Sequence, residues 1–143
     1  MALRVFVAGP VDRPNGPGLS KWVAYCYECI EMAGNALNVD TQRPRGEIEL
    51  DNADPESFQL AIRQRISDSI AVIGMFLPND SSVPAELSIA AELGKPILII
   101  HQKDAQVPRI LSGERVLEDK DEHRMTALIE QFIRQSIPQF RTA

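Results

Sequence analysis

Three stretches of this chain are apolar with almost no interruption: Val5-Phe6-Val7-Ala8, Ile70 to Leu77, and Ile97-Leu98-Ile99-Ile100. A strand with one wet face alternates polar and apolar residues. These stretches do not alternate, so each has to be covered on both sides. The first is stopped by Gly9-Pro10 and the second by Pro78-Asn79-Asp80, both turn formers. Between them lie segments of helical spacing. From Ser20 to Ala33 the stripe is Val23, Cys26, Ile30 and Ala33, with Gly34 as the expected stop. A second helix, entered after Asp54-Pro55, carries Phe58, Ile62, Ile66 and the stem of Arg65. A third runs from Pro84 to Leu93, with proline near its start and Gly94 just past its end. A terminal helix from Arg124 to Ile137 turns Met125, Leu128, Ile129, Phe132 and Ile133 inward. Ala36 to Val39 reads as a further short strand, and Val107 to Leu117 has no decisive pattern. Alternating buried strands and helices predict an α/β fold: a doubly wound, mostly parallel sheet with helices on both faces, Rossmann- or flavodoxin-like.

The 143 residues match about one domain length, so 1–143 reads as a single domain. Fifteen Lys and Arg against twenty Asp and Glu leave a net charge of −5. That argues against a nucleic-acid or anionic-membrane partner but leaves room for a small anionic ligand held by local donors. No apolar run reaches the roughly 18–20 residues of a membrane span. The opening Met1 to Ala8 is too short for a signal sequence, and a cytoplasmic location is expected. Cys26 and Cys29 form a C-x-x-C in mid-helix, whereas a redox pair should open a helix after a strand. They read as two small packing residues. His101 and His123 are isolated, so no metal site and no cofactor is expected.

In a doubly wound sheet, ligands bind beyond the carboxyl ends of the strands. Three loops qualify: Gly9 to Gly18, Thr41 to Pro55, and Asn79 to Val83. The third leads from a buried strand into a helix whose expected first turn carries Glu86, with Asp80 in the turn six residues earlier. A carboxylate at the start of a helix is stabilised as its anion by the macrodipole and free N–H groups, as a nucleophile requires. Asp80, off the helix, is free to approach a ligand from another direction and exchange a proton. Two carboxylates in different surroundings divide nucleophilic and acid–base work at a glycosidic carbon. The same residues also fit an ordinary helix start with Ser81 or Ser82 as cap.

Val5-Phe6-Val7-Ala8-Gly9-Pro10, together with Asp80-Ser81-Ser82-Val83-Pro84-Ala85-Glu86-Leu87 and Gly94-Lys95-Pro96-Ile97, resembles the nucleoside 2-deoxyribosyltransferase family. That superfamily includes the 2'-deoxynucleoside 5'-phosphate N-hydrolases. The resemblance implies a covalent mechanism. Glu86 corresponds to the nucleophile that attacks the anomeric carbon, and Asp80 to the acidic residue that transferases place near the base. Phe6, Gly9, Pro10, Ser81 and Ser82 fall on the substrate-binding segments. Arg109-Ile110-Leu111-Ser112 resembles the hydrolases' Arg-Val-Leu-Ser, in which the serine helps hold a 5'-phosphate, often across a subunit boundary. Arg109 and Ser112 are therefore phosphate candidates, with Arg13 as a further one. A surface arginine, a turn serine and a solvated loop charge are the alternatives. A homo-oligomer acting on a small nucleoside or nucleotide is expected.

The chain also departs from the family pattern. Phe6 stands where many members have a tyrosine that orients the nucleophile, and Ser82 and Ser88 stand where glycine is usual. Ala61 and Ile62 occupy the place of a helix aspartate, and the transferases' late asparagine has no counterpart near Ile110. Three readings follow. The first is an N-glycosidase that cleaves a nucleoside or nucleoside 5'-monophosphate through Glu86, by hydrolysis or base transfer. The second is a TIR-like NAD glycohydrolase, suggested by the serine-rich turn before Glu86-Leu87. The third is a nucleotide-binding sensor without chemistry.

Overall fold

The strand Ala71–Met75 (β3) is buried at every position and lies at the centre of a five-stranded sheet. The structure, a computed structural model, describes residues 3–12, 18–46, 54–78, 80–109, 111, 113–117 and 120–138. Its elements are β1 (Leu3–Ala8), α1 (Lys21–Leu37), β2 (Val39–Asp40), α2 (Pro55–Ser67), β3, α3 (Ser82–Glu92), β4 (Ile97–His101), β5 (Glu114–Leu117) and α4 (Glu122–Ser136). The strand order is β2-β1-β3-β4-β5, and every pairing is parallel. This is the doubly wound, flavodoxin-like order, which reverses direction between β1 and β3.

Side chains that alternate along each strand feed two cores. On one face Val5, Val7, Ile73, Met75, Leu98 and Ile100 pack against α1 and α4 through Cys26, Tyr27, Ile30, Met125, Ile129 and Ile133. On the other, Phe6, Ala8, Val72, Ile97 and Ile99 pack against α2 and α3 through Ile62, Ile66, Val83, Leu87 and Ala90. Gly74 lets α3 come close: an added Cβ there would sit 3.0 Å from Leu87 and 3.2 Å from Val83. Cys26 and Cys29 are buried thiols in the α1 layer, not joined in a disulfide, and pack in the core as their mid-helix position predicts. Among the described residues no helix is long and apolar enough to cross a membrane.

Several boundaries differ from the sequence reading. Helix α1 does not stop at Gly34 but runs to Leu37, so the strand expected over Ala36–Val39 is only Val39–Asp40. The stop is Asn38, whose φ of 57° is the left-handed conformation that asparagine tolerates. Gly34 has a packing role instead. A Cβ on it would clash with Thr41 Oγ1 and stand 2.8 Å from the Val39 carbonyl oxygen. Helices α3 and α4 each begin two residues before their expected starts, and the ambiguous Val107–Leu117 segment supplies β5. Leu128, expected inside, is 43% exposed, because the buried stripe of α4 is Met125, Ile129, Phe132 and Ile133. Overpacking at Gly34 is testable: Gly34→Ala should lower unfolding stability by about 1–3 kcal/mol in urea titration. No loss would mean that the α1–β2 contact yields freely.

Candidate active site

A cleft of about 890 Å³ opens on the α2/α3 face of the sheet, beside the switch point. One side is β1 and its exit turn, through Phe6, Gly9 and Val11. Another is the segment leaving β2, through Gln42, Pro44 and Gly46. The others are α2 and the amino-terminal half of α3. All three loops singled out from the sequence contribute to it.

Helix α3 sets the chemistry of its wall. Val83, Leu87 and Ala90 anchor it to the sheet. The roughly 100° step per residue then turns Ser82, Ala85, Glu86 and Ile89 toward the cleft as one stripe. Glu86 is half-buried there. Because α3 starts at Ser82, Glu86 lies beyond its first turn, which contains no acidic residue. The expected stabilisation by the helix start therefore does not apply, since that effect fades past the first turn. Asp80 occupies that place instead. Its Oδ1 accepts the Ser82 backbone N–H at 2.8 Å and the Ser82 hydroxyl at 2.6 Å. Asp80 is thus tied to the helix start rather than free of it. Ser81, at the N-cap position, is exposed and makes no side-chain capping bond.

The remaining candidates divide. Phe6, Gly9, Ser82 and Glu86 line the cleft. Pro10 does not: its carbonyl oxygen accepts a 2.6 Å hydrogen bond from the Tyr27 hydroxyl. Arg109 is exposed in the segment between β4 and β5 and is not among the lining residues. Arg13 and Ser112 lie outside the described residues. Ile62, near the expected place of the helix aspartate, is largely buried and presents an apolar side chain at the cleft wall. Among the described residues no group of three or more His, Cys, Asp and Glu side chains could hold a metal ion.

Sequence reasoning missed two sets of residues. Arg4, Arg63 and Arg65 line the cleft with Asp40 and Glu56. Two of these arginines are paired, Arg4 with Asp40 at 3.5 Å and Arg63 with Glu92 at 3.1 Å. The basic residue amid the apolar stripe of α2 was the available signal for Arg65. The second set surrounds Tyr27, which is 1% exposed. Burial pushes its hydroxyl well above the ordinary value of 10.0. Arg43 opposes the rise, and the carboxylates of Glu86, Asp12 and Asp80 add to it. One buried hydroxyl thus lies within electrostatic reach of both candidate catalytic carboxylates. Nothing in its position on α1 distinguishes Tyr27 from a core residue in the sequence.

No protein-family model matches the chain, and no curated protein matches it. Solved structures do. A CMP N-glycosidase, BcmB, from Clostridium botulinum superposes with a TM-score of 0.59 at 13% identity, covering 87% of this chain and 97% of that one. A 2-deoxyribosyltransferase from Bacillus psychrosaccharolyticus gives 0.60 at 14% identity, covering 88% and 95%. A conserved protein from Enterococcus faecalis V583 gives 0.61 at 16% identity, covering 92% and 99%. The fold is therefore one shared with an N-glycosidase and a deoxyribosyltransferase, consistent with the resemblance carried by the segments at Val5–Pro10 and Asp80–Ile97.

The raised tyrosine makes a pH prediction. Its proton is held more tightly folded than unfolded, so the stability it contributes is complete below pH 10 and is lost as pH rises further. Unfolding free energy should fall above that pH, by up to about 1.4 kcal/mol per pH unit for one group. In Tyr27→Phe the fall should be shallower, and equal slopes in the two proteins would assign the titration elsewhere.

Proposed function

We propose that the cleft is the active site of an N-glycosidase acting on a nucleoside or nucleoside 5'-monophosphate. The carrying observation is Glu86, half-buried on the wall of a cleft beside the β1/β3 switch point, in a fold shared with enzymes of that chemistry. A Glu86 carboxylate oxygen attacks the anomeric carbon as the carbon–nitrogen bond breaks. The bonding pair leaves with the base, which takes up a proton, and a glycosyl ester remains. Water then releases the sugar and returns the carboxylate, or an incoming base accepts the sugar. Asp80 is the group that carries the proton to and from the base. Phe6 and the half-buried Phe58 supply apolar surface for sugar or base, and Ser82 a hydroxyl. Arg109, exposed and outside the cleft lining, meets a phosphate only if a neighbouring subunit brings it, so phosphate recognition through it goes with a homo-oligomer.

Incubation with 2'-deoxynucleosides, nucleoside 5'-monophosphates and NAD, followed by chromatography, tests the reading. Free base from the first two classes is expected. Nicotinamide release would point to the TIR-like alternative, and ligand-induced stabilisation without cleavage to a sensor. Glu86→Gln should retain the folded state and lose at least about 10⁴-fold in kcat. Asp80→Asn separates chemistry from capping, because asparagine caps a helix as well as aspartate does. Its melting temperature should stay near that of the parent while kcat falls about 10²-fold or more. Full activity in Asp80→Asn would leave Asp80 only its structural task.

A further inference from the structure

Two segments of the cleft wall are held from behind by one arginine. Gly9 and Val11 face the cleft on the first segment, and Gln42 and Pro44 on the second. The residues alternating with them point the other way. Pro10 gives its carbonyl oxygen to the Tyr27 hydroxyl at 2.6 Å. Asp12 Oδ2 is 3.4 Å from Arg43 Nη1. Arg43 lies over the Tyr27 ring, 5.0 Å from its centroid, and grips Glu31 of α1 with a fork: Nε to Oε2 at 2.9 Å and Nη2 to Oε1 at 2.7 Å. A backbone bond of 2.8 Å from Asp12 N–H to the Pro44 carbonyl oxygen joins the segments. The Arg43 side chain is only 16% exposed, so its bonds are less screened than those of a surface pair. Gly9 completes the arrangement, since a Cβ there would stand 2.5 Å from the Tyr27 hydroxyl oxygen.

The Glu31 fork and the stacking on Tyr27 use properties that lysine lacks, whereas the Asp12 ion pair needs only the charge. A planar fork meets both carboxylate oxygens at once, and its delocalised face stacks on an aromatic ring. The strut thus sets the spacing between the β1 turn and the β2 exit from a rigid helix, while its own atoms stay out of the cleft. We propose that Arg43, acting through Tyr27 and Glu31, is a positioning residue that holds both wall segments at the separation the substrate needs. It therefore governs KM and leaves the bond-breaking step largely untouched. The inference rests on the N-glycosidase reading for its substrate, though not for the strut itself.

Two measurements on the full chain test it, using Arg43→Met, Arg43→Lys and Tyr27→Phe. The first is amide hydrogen exchange. In Arg43→Met, residues 9–12 and 41–46 should exchange about tenfold faster or more, with the β3 and β4 amides unchanged. Tyr27→Phe, which keeps the ring for Arg43 but loses the hydroxyl, should loosen 9–12 more than 41–46. The second is steady-state kinetics on whichever nucleoside or nucleoside monophosphate the wild type cleaves. Arg43→Met should raise KM about tenfold or more with kcat within about threefold. Arg43→Lys should recover part of both effects. Unchanged exchange in both segments overturns the strut, whatever the activity. Faster exchange with an unchanged KM, or a loss confined to kcat, overturns its role toward substrate. If the wild type cleaves no member of the panel, the N-glycosidase reading and the substrate role fall together, and exchange alone decides whether the strut exists.

Discussion

Burial of β3 on both faces is the constraint from which the rest follows. Five consecutive residues, Ala71 to Met75, have no contact with water on either side. The backbone of such a strand finds partners only in neighbouring strands, and its side chains only in covering helices. Parallel β1 and β4 therefore flank it, with α1 and α4 on one face and α2 and α3 on the other. Polar chemistry is excluded from the interior of this sandwich and collects along its rims. The cleft lies on that boundary, where β1 ends and α3 descends from the exit of β3. Gly74 adjusts the arrangement by admitting Val83 and Leu87 close to the strand, which turns the opposite side of α3 toward the opening.

The two carboxylates in the turn and helix after β3 have divided tasks. Asp80 receives the hydrogen bonds at the helix start, and Glu86, a full turn further on, faces the cleft. The helix-start argument expected of Glu86 therefore applies to its neighbour. This redistribution follows from α3 beginning at Ser82 rather than at Pro84. Moving a start by two residues moves a side chain by more than half a turn and takes it out of reach of the free N–H groups.

Tyr27 and Arg43 link the core to the rim. The tyrosine ring belongs to the α1 layer, yet its hydroxyl emerges under the β1 turn, bonded to Pro10. Arg43 closes over the ring and binds Glu31, so that a helix buried against the sheet fixes two irregular segments. Phe6, which lacks a hydroxyl, lines the cleft, and the Tyr27 hydroxyl is committed to the Pro10 carbonyl oxygen.

Much of the architecture is legible in the residue types alone. The uninterrupted apolar runs at Val5–Ala8, Ile70–Leu77 and Ile97–Ile100 demand two-sided cover, and helical spacing between them supplies it, so layer order and parallel pairing follow from residue types alone. The turn after β3, with Asp80, and the helix start beyond it are legible for the same reason: turn residues between a buried strand and an amphipathic helix mark a rim of the sheet. Gly34 shows where local reading stops, since whether a glycine ends a helix or admits a neighbouring strand depends on Thr41 and Val39, which approach only in the folded chain. The same holds for Arg109, Arg65, Tyr27 and Arg43. Periodicity and turn chemistry act between residues a few positions apart and can be read along one dimension. The strut across Glu31, Tyr27 and Arg43, and the choice of which arginines line the cleft, depend on contacts between distant segments, and those exist only once the sheet has set the distances.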